Sequence, residues 1–419
     1  MSELAQSKMK GELPAALAGL RVLELDSPCT RYAGKMFADM GADVVLVEPP
    51  LGGSTRNEGP FIGNIFGQER SLSFAYYNTS KRGVTLNLQS VEGQKLFRDL
   101  ASNADLVLEG ERPGALSKMD LDFQSLRKLH RKIVVTSVSP FGQTGPYAKY
   151  ESEDLVALAL GGFMYLTGYP DGPPLRAYGN QAYLAAGMYA AVASMLALTA
   201  AETSGDGQHV DVSMQECVVM AMETAAQYFD LEGSLRKRFG ANQRFAGSGV
   251  FECKDGFVYM MAAGIGANKF WSYSLDWLTK EGVVGVDRLQ GDHWKEIEYV
   301  QGDEAKRIFA EVFGPWAKER TKSYLYHQGQ RHHVPLAPVN SPKDILGSMQ
   351  LAHRNYFVDV PHSATTAPLR MPGAPYCLSR TPWRISRPAP KLGEHNTEVF
   401  SSIGIDGARC RELKRAGVI

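Results

Sequence analysis

Residues 20–26 read LRVLELD, 30–41 TRYAGKMFADMG and 43–48 DVVLVE. The first and third are short runs rich in Val and Leu, the pattern of strands largely covered on both faces. Between them, 30–41 has a helix-like pattern and closes on Gly41, a residue that ends a helix in the left-handed conformation without a Cβ penalty. Strand, helix and strand with short connections make a βαβ unit. Its two strands are parallel, because the crossover helix has to pack back onto the sheet it leaves.

The unit repeats outward along the chain. VTLNL (84–88), DLVLE (105–109), KIVVTSVS (132–139) and HVDVS (209–213) read as further strands, with helices expected near 91–102 and 115–131. The fold class is therefore α/β, a Rossmann-like open parallel sheet. Ligands in such sheets bind beyond the carboxyl ends of the strands, which places 26–30, 49–56, 109–114 and 139–145 along one crevice. Helices are expected over 152–166, with Ser152 as N-cap, over 181–202 and over 214–230, the first two separated by the turn-rich TGYPDGPP. From Gly249 the texture changes: GVFECKDGFVYMMAA has the pattern of a β-hairpin. The expected division is a lead-in (1–18), a large domain (19–230), a smaller α+β domain (231–335) and a return segment (336–419).

Composition narrows the function classes. Lys and Arg number 45, as do Asp and Glu, so no net charge favours a polyanionic partner, and no nucleic acid is expected. The five cysteines are scattered without a CxxC pair, which fits a reducing, cytoplasmic setting. The first residues lack the apolar run of a signal peptide. Tyr183 to Ala201 carries no charge and approaches the length of a bilayer span, but it is alanine-rich and has no flanking basic cluster, so it reads as a core helix rather than a membrane anchor. His327, His332 and His333 have no Cys or carboxylate at ligand spacing, and no metal site is expected.

Several segments, in order along the chain, carry a resemblance: LAGLRVLEL, FADMGADVVLVEPPLGGSTR, YNTSKRGVTLNL, ERPGAL, SPFGQTGPY, DLVALALGGFMYLTGYPDGPPLR, SGDGQHVDVSMQE, VPLAPVN and PAPKLGEHNTEVF. Together they resemble the class III CoA-transferases, the CaiB/BaiF family. The resemblance implies coenzyme A, as acyl-CoA, bound by the large domain, a carboxylic acid as second substrate, and interlocked dimers in which each chain threads through its partner. The phosphates of CoA need cations, and Arg56, Lys81, Arg82, Arg112 and Lys118 are the candidates near strand ends. By resemblance, Lys81 and the Lys118–Met119 pair contact CoA, and Gly264 and Gly266 belong to a lid loop. The usual Glu-Asn-Phe-Arg-Pro-Gly is here Glu109-Gly-Glu-Arg-Pro-Gly114, which places an acid, Glu111, beside a polyphosphate.

The attacking group of the family is an aspartate, and its position holds Tyr183. A phenol of ordinary pKa costs on the order of 4 kcal/mol to ionise at neutral pH. Asp154 matches a position that carries a supporting carboxylate in several members. Glu153 stands where the racemase branch has a histidine, so both members of that branch's acid–base pair are absent. The reading that follows is a subunit that lacks the nucleophile and pairs with a homologous chain carrying the aspartate, with succinyl-CoA the expected donor and an aryl-substituted succinate such as benzylsuccinate the expected acceptor. A self-sufficient transferase using Asp154 or Glu153, a CoA-binding scaffold and, more remotely, an acyl-CoA racemase remain open alternatives.

Overall fold

The computed structural model describes residues 13–262 and 269–419. One unit contains the chain up to Phe163, Arg176–Gln227 and His353–Ile419. It is built on six parallel strands: β1 (Arg21–Leu25), β2 (Asp43–Glu48), β3 (Arg82–Thr85), β4 (Leu106–Glu109), β5 (Val134–Ser139) and β6 (His209–Ser213), in the order β3-β2-β1-β4-β5-β6. The order reverses between β1 and β4, where the loops that follow the two strands diverge and open a crevice. This is the Rossmann-like sheet that the apolar runs imply. Leu106, Val107 and Leu108 of β4 are fully buried, as a strand covered on both faces requires.

Around the sheet lie α1 (Arg31–Asp39), α2 (Val91–Ala101), α3 (Asp154–Leu160), α4 (Gln181–Ser204) and α5 (Met214–Met220). Ser90 caps α2 by accepting the Gly93 N–H at 3.0 Å. The C-terminal residues return to this unit, where Phe400, Leu413 and Ile419 pack with Leu23, Val45, Phe97 and Val135 in one core. Three expected helices are shorter than their periodicity suggests. The one over 115–131 is reduced to two short segments, Ser117–Met119 and Phe123–Arg127, because Asp120 turns left-handed between them. Gly161 and Gly162 end α3, and Glu223, at positive φ, separates α5 from Ala225–Glu232. Helix α4 is long and apolar enough to cross a membrane by length and composition. It packs against α1, α5, β5 and β6 on one side, but Met188, Tyr189, Val192 and Leu196 on the other are exposed, so it is not the fully enclosed helix that its composition suggests.

The second unit comprises Met164–Leu175 and Tyr228–Ala352. Its sheet is antiparallel, with β7 (Ser248–Cys253) and β8 (Gly256–Met261) forming the expected hairpin and β9 (Leu336–Val339) pairing on β8. Phe251, Trp277, Phe309, Phe313 and Trp316 make an aromatic core. Because β9 belongs to this sheet, the chain leaves the unit after Ala352, and the expected boundary at 335 moves accordingly.

Glu24 sits in the middle of β1 with no exposed surface, and Lys81, equally buried, meets it at 2.6 Å. The ammonium also donates to Asn78 Oδ1 at 2.9 Å and to the Arg31 carbonyl at 3.1 Å. Room for the carboxylate exists only because α1 presents Gly34 there, where any Cβ would overlap it. Burial pushes the Glu24 carboxyl up and the Lys81 ammonium down from their usual pKa ranges, each opposed by the other's charge. Removing one member of such a pair leaves an uncompensated charge. Lys81→Met is therefore expected to lose about 3–5 kcal/mol of stability, read from the denaturant midpoint, and Glu24→Gln/Lys81→Met to recover part of it. A Lys81→Met protein as stable as the wild type would show that the pair is not holding these elements together.

Candidate active site

Beyond the carboxyl ends of β1 to β3 lies a cleft of about 280 Å³, lined by Asp26, Glu48, Gly53, Glu111 and Met119 among others. Asp26 accepts the Thr55 hydroxyl, and a side chain on Gly53 would overlap its carboxylate, so the turn after β2 closes directly onto β1. Glu48 is occupied differently: Arg56 grips it through Nε at 2.7 Å and Nη2 at 2.8 Å, both side chains fully buried. Arg56 Nη2 also donates to the Pro390 carbonyl at 2.9 Å.

The sequence-picked cations divide into two groups. Lys81 and Arg82 stand at the amino end of β3, so the strand-end argument that set them beside the crevice fails, since the crevice opens at the opposite end. Arg82 is held by Asp43 at 2.6 Å and Glu398 at 2.9 Å. Arg56 lies near the cleft but is enclosed within its ion pair, and neither it nor Lys81 is a surface cation. The other group follows β4. Arg112 is exposed and paired with Glu151, Lys118 is exposed, and Met119 lines the cleft while packing on the main core. Burial raises the Glu111 carboxyl above its ordinary pKa, with Asp26 adding to the shift. Gly264 and Gly266 lie outside the described residues.

Tyr183 is in the first turn of α4. Asp154, the first residue of α3 and only 5% exposed, directs Oδ1 at the N–H groups of Ala182 (2.8 Å) and Tyr183 (3.2 Å). It thus satisfies two of the N–H groups that any helix start leaves without partners, and sets a negative charge at the positive end of the dipole. Asn180, the N-cap residue of α4 itself, makes no side-chain cap bond. Asp154 Oδ2 is buried without a hydrogen-bond partner. Burial raises the Asp154 carboxyl from its usual range, partly offset by those two N–H groups and by Arg176. Glu153 is exposed and makes no cap bond to α3. Tyr183 is half-buried, and burial, with a further contribution from Cys29, pushes its phenol up to about 12. The Cys29 thiol is pushed up by its own burial to about 11. A neutral phenol, a neutral thiol and a carboxylate engaged in capping are a poor nucleophile set at neutral pH.

Sequence reasoning missed a neighbouring cavity of about 300 Å³ over one face of β4 to β6, lined by Glu109, Arg112, Ser137, Gln143 and His209 among others. Ser137 Oγ and His209 Nε2 are 2.8 Å apart, and Glu109 accepts the Glu111 N–H at 2.7 Å. Burial pushes the Glu109 carboxyl up to about 7, against the opposing bonds from Ser137 and Glu111. The residues alternate along adjacent parallel strands, a juxtaposition that only the strand order reveals. Among the described residues, no group of three or more His, Cys, Asp or Glu side chains is arranged to hold a metal ion.

A profile of CoA-transferase family III matches residues 17–396. Over 401 residues the chain is 39% identical to the succinyl-CoA:(R)-benzylsuccinate CoA-transferase subunit BbsE of Thauera aromatica, covering 95% of this chain and 97% of that protein. It is 33% identical to a succinate–glutarate CoA-transferase of Agrobacterium fabrum, covering 92% and 95%. Among solved structures, a CaiB/BaiF family protein from Brucella suis superposes with a TM-score of 0.82 at 25% identity, over 94% of this chain and all of that one.

Two outcomes follow from the geometry. Asp154→Ala strips two N–H groups of their acceptor and is expected to cost about 1–2 kcal/mol, whereas Asp154→Asn, which keeps an acceptor oxygen, costs less; equal costs in thermal unfolding would show that capping is not its role. For Glu109, the unfolded chain releases its proton near the ordinary value of 4.5 while the folded protein holds it to about 7. Stability is therefore lost as pH rises through that window, by on the order of 3 kcal/mol. The stability of Glu109→Gln relative to wild type should accordingly climb between pH 5 and 7 and level off above it, and a flat difference across the range contradicts the buried, protonated carboxyl.

Proposed function

The chain belongs to CoA-transferase family III, and on that footing we propose that it is the subunit of a heteromeric CoA-transferase that does not carry the attacking carboxylate. The observation that carries this reading is Tyr183 at the head of α4, the position at which the family resemblance puts the aspartate, with its phenol pushed up to about 12. Ionising such a group at pH 7 costs on the order of 7 kcal/mol, and a phenyl ester would hold the acyl group less activated than an anhydride does. The homologous partner supplies the aspartate.

In the chemistry implied by the family, that partner carboxylate attacks the donor thioester, forming a mixed anhydride and releasing CoA thiolate. The thiolate then attacks the enzyme carbonyl of the anhydride, freeing the donor acid and leaving an enzyme–CoA thioester. The acceptor carboxylate attacks this thioester, expelling thiolate, which finally takes the acceptor acyl group from the new anhydride and regenerates the aspartate. The relative from Thauera aromatica is named as a subunit and acts on succinyl-CoA and (R)-benzylsuccinate. For the present chain we take succinyl-CoA as donor and benzylsuccinate or a similar aryl-substituted succinate as acceptor. A docking face for the partner is supported by the exposed Met188, Tyr189, Val192 and Leu196 of α4. They adjoin an apolar groove of about 430 Å³ whose lining includes Leu17, Met36, Phe37, Met195 and Leu378.

A second reading, a self-sufficient transferase, draws on Asp154 Oδ2, which has no hydrogen-bond partner. Native mass spectrometry and a succinyl-CoA transfer assay on the same purified fraction separate the two. The heteromer is expected to contain a second homologous chain, to lose activity when the chains are separated, and to keep turnover within about twofold in Tyr183→Phe, the change of about 0.4 kcal/mol or less expected of a residue outside the transition state. An active species composed of this chain alone, inactivated by Asp154→Asn and by hydroxylamine trapping on this chain, would replace the first reading with the second.

A further inference from the structure

Glu109 of β4, Ser137 of β5 and Asp211 of β6 are register partners across three parallel strands, so their side chains form one polar row on one face of the sheet. One residue pair back along the strands the same face is apolar, with Val107 and Val135 in the main core. The cavity of about 300 Å³ lies over this face, and its polar wall is interior: Glu109 is 4% exposed and Ser137 3%. Burying such groups is costly unless each finds a hydrogen-bond partner.

Most of them do. Ser137 Oγ and His209 Nε2 are paired, Glu109 Oε2 accepts the Glu111 N–H, and Asp122 accepts the Ser125 N–H at 3.0 Å and the Ser117 hydroxyl at 2.9 Å. Arg112 is held by Glu151. Gln143 is the exception. Its backbone N–H is anchored to the Asp211 carboxylate, 2.9 and 3.1 Å from the two oxygens, and its side chain lines the cavity. Yet Gln143 Nε2 is buried with no hydrogen-bond partner among the described residues, and so is Ser139 Oγ, two residues beyond Ser137 on the same face of β5. Native interiors leave few polar atoms unmatched, and an unmatched donor in the wall of a cavity marks the place for a ligand acceptor.

The lining narrows what that ligand is. A phosphate or carboxylate would meet the acids Glu109 and Asp122, with Arg112 already engaged by Glu151. An ammonium would find no free carboxylate, because Asp122 uses its oxygens on Ser117 and Ser125 and burial pushes the Glu109 carboxyl up to about 7. An uncharged molecule fits both constraints. It needs a carbonyl oxygen for the Gln143 amide, and Ser137 and Glu109 offer acceptors for an N–H beside that carbonyl. Leu116, Phe123 and Val135 supply apolar walls, and the Phe123 ring lies near-parallel to that of His209, 14° between planes and 6.1 Å between centroids, which suits a flat ring.

We propose that this cavity binds a small, uncharged, planar molecule with an amide edge, a carbonyl beside an N–H as in a ring carboxamide or a lactam, separately from the cleft beyond β1 to β3. The inference uses none of the residues around Tyr183 and stands whichever subunit role the chain has.

Equilibrium dialysis of radiolabelled nicotinamide and of radiolabelled uracil against the full-length protein, at about pH 6 where Glu109 is largely protonated, reads the site directly. Saturable binding of one molecule per chain is expected, and the tighter of the two probes tells an exocyclic carboxamide from a ring lactam. Nicotinate, the same ring with a carboxylate in place of the amide, should compete at least about tenfold less well than nicotinamide, since it adds a charge and loses the N–H. Saturating CoA should leave the probe bound. Gln143→Leu should weaken binding roughly tenfold, as the loss of one buried hydrogen bond does, and Ser137→Ala should weaken it as well, with unfolding midpoints measured to establish that each variant is folded. The proposal is overturned if neither probe binds saturably, if nicotinate competes as well as nicotinamide, if CoA displaces the probe, or if whichever of the two variants is folded binds with full affinity.

Discussion

Glu24 and Lys81 bury opposite charges 2.6 Å apart in the middle of the sheet, and the elements around them are placed so that neither charge is stranded. The carboxylate comes from the central strand β1, the ammonium from the turn before β3, the space from a glycine of α1, and an extra acceptor from the carbonyl of Arg31. A displacement of any of these would leave a charge without a partner, which costs more than the pair contributes when it is intact. Nearby, Lys35 and Asp39 meet at 2.8 Å, and Glu48 and Arg56 form the enclosed bidentate pair. Together these pairs join side chains of β1, β2, the turn before β3 and α1.

That arrangement explains what was legible in the sequence. The parallel strands were readable because burial on both faces favours short runs rich in Val and Leu, such as DVVLVE of β2 and LVLE of β4, even where a buried polar residue such as Glu24 of β1 interrupts them. Helix ends were less so. Asp120 and Glu223 break helices by turning left-handed, a conformation for which glycine is the visible signal and an acidic residue is not. Strand β9 escaped notice because Leu336–Val339 is short and contains Pro338, which an edge position tolerates. The cations show the deeper limit. A sequence displays charge but not its partner, so Lys81 and Arg56, picked as candidates for phosphate contact, are found already matched by carboxylates of β1 and β2.

At the head of α4 the same rule acts on function. The start of a 24-residue helix is a favourable place for an anion, and in this chain that anion is contributed by Asp154, from a different helix. An aspartate in place of Tyr183 would set a second carboxylate near the first, each raising the other's pKa. With tyrosine, the helix end keeps a single negative group, and the aromatic ring fills the space in a half-buried setting that favours its neutral form.

Asp154 therefore has two separable reasons to be an acid: any part in chemistry, and the two N–H groups it satisfies at the start of α4. Only the first would lapse in a lineage whose nucleophile has gone. Random substitution would be expected to erode Tyr183 freely while sparing Asp154, and a carboxylate that outlives its neighbour in this way would record the demands of folding long after those of catalysis had ceased.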